Sequence, residues 1–148
     1  MNDQDVFAHN RVILTHFDTY STALVFARWG TTVLLPQALP ESSTPMPAPA
    51  VIGPDHRSDR VRQAVIERCQ LNADELDHVG EFKHWADTPA GPVRIHLLRF
   101  NTTDAPKAAI EALGGVFKPI SELRGSAMSE LLLLREVFNL IVGACGRA

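Results

Sequence analysis

The sequence is poor in cysteine, with Cys69 and Cys145 the only two in 148 residues. No secretory pattern stands ahead of them, so they read as reduced thiols and not as a disulfide framework. Long apolar runs are missing too. No stretch approaches the ~18 residues of a membrane helix, and Met1–Asn10, MNDQDVFAHN, lacks the basic-then-apolar order of a leader. Neither sign of charge is in large excess: net charge is −3 and pI near 6.0, which gives no reason to expect a nucleic-acid or acidic-membrane partner. There is no P-loop, no dinucleotide fingerprint, no Ser or Cys nucleophile motif and no internal repeat. These absences leave a cytoplasmic protein, read as a single domain over 1–148 with enough chain for a real core.

What is present is mixed α/β patterning. Arg11–Phe17, RVILTHF, is β-rich and reads as a short strand ended by Asp18-Thr19. Thr22–Pro36, TALVFARWGTTVLLP, reads as a hairpin: TALVFA, a turn over Arg28–Thr31 containing Gly30, and the return strand TVLLP. Residues 37–56 carry five of the ten prolines. Proline has no N–H and fixes φ, so this stretch is expected as a long loop over the fold. Val79–Ala86 and Pro92–Phe100 read as a second hairpin. In its second strand Val93, Ile95, Leu97 and Arg99 share one face, and Arg94, His96, Leu98 and Phe100 share the other. Val116-Phe117 is a strand stub. Ala127–Gly143 reads as a long apolar helix.

The stretch of most interest is Ser58–Leu71, SDRVRQAVIERCQL. Val61, Ala64, Val65 and Cys69 fall at helical spacing. Ser58 is the expected N-cap, and Asp59 sets negative charge at the positive end of the macrodipole. Arg60, Gln63, Glu67 and Arg68 occupy the polar side. Residues 63–71, QAVIERCQL, resemble a worn-down Nudix box, whose closing pattern is R-E-U-x-E-E-x-G-U with U a bulky aliphatic. Val65 and Leu71 keep the aliphatic places and Glu67 keeps the middle Glu. Gln63 stands for the Arg, Ala64 and Arg68 for the other two Glu, and Gln70 for the Gly. Asp55 falls at the upstream Glu and Pro49 at the opening Gly. The strand–turn–strand ending V-L-L, the V-G-E-F run after the helix, the Phe117–Leu123 segment resembling W-x-P-U-x-E-L, and the closing helix extend the likeness from about Thr22 to Val142.

The resemblance implies a Nudix-like α/β/α sandwich with a mixed sheet. In the family, the box carboxylates hold Mg²⁺ against a diphosphate and help generate the nucleophile from water. Here Glu67 is the residue left for a catalytic role, and a guanidinium at Arg68 carries a fixed positive charge and no acceptor. The expectation is therefore a divergent Nudix-fold protein that binds a nucleotide- or phosphate-containing ligand, with Mg-dependent pyrophosphohydrolysis lost or altered. An active divergent nucleoside-diphosphate hydrolase and a non-enzymatic interaction or regulatory module are the alternatives. The candidate ligand-binding residues are Arg68, Arg60, Gln63, Asp55 and His56, with no metal or other cofactor expected unless the box works after all. His84 and His96, expected to face each other across the second hairpin, are read with His78 as partly exposed strand histidines and not as a zinc site. Four consecutive leucines, Leu131–Leu134, cover more of a helix than one sheet can bury, so a homodimer through the C-terminal helix is expected.

Overall fold

β1 (Asn10–Asp18) is buried along nearly its whole length, and its place in the sheet explains why. It runs parallel to β6 (Gly91–Phe100) on one side and antiparallel to β2 (Ala23–Trp29) on the other. Its apolar run carries no polar alternation because both faces are covered. The computed structural model describes residues 6–123 and 125–145.

Those residues form a mixed α/β fold with a seven-stranded sheet and three helices. The order is β3 (Thr44–Met46), β5 (His84–Thr88), β6, β1, β2, β7 (Gly115–Pro119), and β4 (Leu76–His78) also pairs with β6. Every pairing except β1–β6 is antiparallel. α1 (Ser58–Cys69) buries Val61, Val65 and Cys69 with Val12, Leu14, Leu98 and Phe100. α3 (Met128–Cys145) buries Leu134, Val137 and Ile141 with Ile13, Phe26, Ile95 and Leu97. Adjacent strand residues thus feed two different cores, with a helix on each face of the sheet. α2 (Lys107–Glu111) sets Ile110 against Gly115, where a side chain would strike Ile110 and the Trp29 ring.

Several expectations change. The segment TVLLP is not the return strand of a hairpin. Past Gly30 (φ +67), Trp29 and Thr32 exchange backbone hydrogen bonds and the chain then leaves β2. The free edge of β2 goes to β7, while Val33 and Leu34 are fully buried and Leu35 bridges to Val12. The cause is the side chain of Glu130 on α3, whose carboxylate accepts from Thr32 Oγ1 (2.7 Å) and from the Val33 N–H (2.9 Å). A run with no alternation has no solvent face, so it buries whole and its polar groups need such a partner.

The second hairpin does form, closed by Thr88 Oγ1 on the Gly91 carbonyl (2.7 Å), but its first strand begins at His84 and not at Val79. Val79–Phe82 is a turn that drops Phe82 into the α3-side core. The register sets His84 opposite Ile95. His84 and His96 therefore lie on opposite faces, one residue out of step. Ser58 is not an N-cap either. Arg57 holds that place, and no side chain caps the helix. The proline-rich stretch is loop for most of its length, with β3 as an edge strand that tolerates Pro45. Four leucines in a row split as expected for a one-sided helix: Leu134 is buried, Leu131 and Leu133 are half-buried, and Leu132 is exposed.

Candidate functional site

On the α1 face, the sheet carries a polar cluster where β6, β1 and β5 meet. The register places Arg94 between Asn10 and Trp85 on neighbouring strands, with His96 two residues further along the same face. The short 3₁₀ turn Pro54–His56, just ahead of α1, is pinned over this cluster by side chains from the sheet and helix. Asn10 Nδ2 donates to the Asp55 carbonyl (2.8 Å), Arg94 Nη1 to the His56 carbonyl (2.8 Å) and Arg60 Nη1 to the Pro54 carbonyl (3.2 Å). His56 Nε2 donates in return to the Pro92 carbonyl (3.2 Å).

These bonds fix a row of rings. His56 lies 4.7 Å from Trp85, His9 lies 5.8 Å from His56, and the Arg94 guanidinium sits 5.9 Å over the Trp85 ring. Trp85 is itself 4% exposed, so it backs the site and does not offer a free face for a ligand to stack on. His9, His56 and Arg94 are half-buried.

Behind them, His96 is 1% exposed. Its tautomer follows from Asn10. The Asn10 amide nitrogen donates to the Val6 and Asp55 carbonyls (both 2.8 Å), so its oxygen is the acceptor for His96 Nε2 (2.7 Å). His96 Nδ1 is left as a buried lone pair with no partner. Burial pushes the His96 pKa down to about 2, and Arg94, His78 and His56 add to the effect as positive neighbours. The His78 ring is 6.2 Å away; its pKa is also lowered, by burial first and by Arg94 next, with Glu81 opposing. Burial likewise lowers the pKa of Arg94. Arg57–Asp59 and Lys118–Glu122 are ion pairs among the described residues, and neither engages Arg94. The cluster thus holds the half-buried Arg94 cation beside imidazoles, and among the described residues no carboxylate is in ion-pair contact with Arg94. Such an arrangement suits a compact anion, because a guanidinium presents several N–H donors and one here goes to the His56 carbonyl.

The residues singled out from sequence are only partly gathered. His56 belongs to the cluster, and Asp55 contributes its backbone carbonyl while its side chain is exposed. Glu67 is exposed on α1 and accepts from Gln63 (3.3 Å), an ordinary i, i+4 surface pair. Arg68 sits with its guanidinium 5.5 Å over the Phe7 ring. Arg60 is held at the turn. Among the described residues no three of His, Cys, Asp and Glu converge as a metal site. Cys69 is buried, and burial pushes its thiol up to about 11, out of the reactive range. The residues missed were Arg94, Asn10 and His9, and of these Arg94 had a signal in the sequence. The signal for it was a charge on the same strand face as Leu98 and Phe100, which a core strand does not carry without reason.

The opposite face carries a groove of about 1150 Å³, between the proline-rich loop, β5 and α3. Leu39, Pro45, Leu132, Leu133 and Phe138 line it, with Glu41, Arg135 and Glu136 among its charged residues. Among the described residues, no helix is long and apolar enough to cross a membrane. Compared with protein-family models and with curated proteins, the chain matches none.

Proposed function

We propose that this protein is a Nudix-like binding protein that holds a phosphate-bearing ligand at the Arg94–His56 cluster, without Mg-dependent hydrolysis. The observation that carries this is Arg94: a half-buried guanidinium, desolvated, backed by Trp85 and flanked by imidazoles, with neither observed ion pair engaging it. Charge-assisted hydrogen bonds to such a group are worth about 1.5–3 kcal/mol each.

The Nudix-like part is supported by α1 at the box position with a hairpin and a closing helix after it, the strand–turn–strand ending V-L-L having no counterpart, and by one backbone detail. Gln70 ends α1 at φ +53, ψ +51, with the Leu71 N–H on the Ile66 carbonyl (2.9 Å). This left-handed C-terminal position favours glycine, and glycine is what the box pattern has there. The non-hydrolytic part is supported by the α1 surface. Ala64 is buried in the core, Arg68 is stacked on Phe7, and Glu67 has Gln63 as its partner.

The test is a thermal-shift and calorimetric titration with inorganic phosphate, pyrophosphate, nucleotides and sugar nucleotides, each with and without Mg²⁺. The expected result is binding without metal, weakened about tenfold or more in Arg94→Gln, as loss of one charge-assisted contact requires. Metal-dependent turnover that disappears in Glu67→Gln would refute the reading. So would ligand binding that Arg94→Gln leaves unchanged.

A further inference from the structure

Glu130 is a buried acid in an apolar setting. It is 4% exposed in the first turn of α3, and its oxygens accept from Thr32 Oγ1 and from the Val33 N–H. Those two bonds use half of the roughly four acceptor positions of a carboxylate. Both donors are neutral, so the charge itself is not offset. Neither Arg57–Asp59 nor Lys118–Glu122 engages Glu130, and among the described residues no cation is in ion-pair contact with it. A charge held out of water is costly unless an opposite charge meets it. Glu130 also lines the groove beside α3, where Leu34, Ile95, Leu133 and Phe138 are apolar walls. The charged lining is Glu41, Glu130 and Glu136 against Arg135, with His84 on the β5 wall. Arg135 is exposed, so water screens it, whereas Glu130 is buried and acts at lower dielectric.

We propose that the groove binds a small molecule with an apolar body and a primary ammonium group, the body lying on the apolar walls and the ammonium meeting the Glu130 carboxylate. At about 1150 Å³ the groove is large enough for a small organic ligand. An ammonium has three donors and no acceptor, so it suits the acceptor positions that Thr32 and Val33 leave open. It also supplies the opposite charge that the fold itself does not place there. A ligand carboxylate would instead face Glu130 as a like charge, and an uncharged apolar ligand would leave Glu130 uncompensated. The groove lies on the face opposite α1, so this site stands or falls independently of anion binding at Arg94.

Calorimetric titration of the full chain tests this with three probes that share one alkyl chain: octylamine, 1-octanol and octanoate, each at submillimolar concentration. Octylamine is expected to bind about tenfold or more tighter than 1-octanol, the gain from one hydrogen bond between charged groups, and octanoate to bind weakest. In the amide NMR spectrum, octylamine should shift the signals of Leu34, Glu130, Leu133 and Phe138. In Glu130→Gln, which keeps the side-chain length and one oxygen acceptor, octylamine should bind no tighter than 1-octanol. If that variant does not fold, the probe series and the shifted signals of the wild type decide. Absence of octylamine binding, equal binding of amine and alcohol, tightest binding of octanoate, or shifts confined to other surfaces would each overturn the proposal. A folded Glu130→Gln protein that keeps the preference for the amine overturns it too.

Discussion

Protonating His96 should destabilise this protein, and the amount can be worked out from its surroundings. Nε2 gives its proton to Asn10, so the added proton must go to Nδ1, which is buried and has no acceptor. Arg94, His78 and His56 all oppose it. The folded pKa is therefore depressed from 6.5 to about 2. A depressed histidine stabilises the fold fully above its unfolded pKa, and that stability is lost as pH falls below 6.5 toward about 2. With 1.36 kcal/mol per pKa unit, the loss from this ring is about 0.8 kcal/mol at pH 6 and about 2 kcal/mol at pH 5, relative to pH 8. The measurement is urea unfolding of the wild type and of His96→Gln across this range. Gln keeps a donor for Asn10 and does not titrate, so the difference between the two curves isolates the ring, whatever the variant costs at pH 8. The wild type should fall faster than the variant by about 2 kcal/mol at pH 5. Parallel curves would refute the assignment, and would mean that Nδ1 has a partner or that the site opens to water.

Glu130→Ala should cost about 2–5 kcal/mol in the same unfolding assay, because the Thr32 hydroxyl and the Val33 N–H both lose their acceptor inside the core; a loss under about 1 kcal/mol would mean that water replaces the carboxylate. Gln70→Gly should raise stability by about 0.5–1 kcal/mol, since relief of the left-handed strain outweighs the added freedom of the unfolded chain. A destabilised Gly variant would show that the Gln70 side chain makes a contact worth more than the strain.

Much of the frame was readable from local pattern, because local physics decides it. The α1 stripe Val61–Val65–Cys69 needs only helical geometry to be seen, and its observed span, Ser58–Cys69, lies within two residues of the expected one. The two faces of PVRIHLLRF follow from strand alternation and divide into the two cores as read. The Phe117 stub is β7, longer than expected, and the C-terminal apolar segment is α3.

Other features had no local signature. TVLLP reads as a strand by propensity, yet a carboxylate 97 residues away draws it off the sheet. A one-residue shift of register separates His84 from His96, and nothing in either strand alone sets that register. The polar side of α1 looked like a site because Arg60, Gln63, Glu67 and Arg68 are close in sequence. Packing instead sends Arg68 to Phe7 and leaves Glu67 to Gln63. The Arg94–His56–His9 cluster joins β6, the turn before α1 and the start of β1, segments brought together only by the parallel β1–β6 pairing. The sequence by itself determined which residues are apolar, at what period, and hence the helices and most strands. The tertiary structure alone decided which polar side chains meet, because that depends on register and on contacts between residues far apart in the chain.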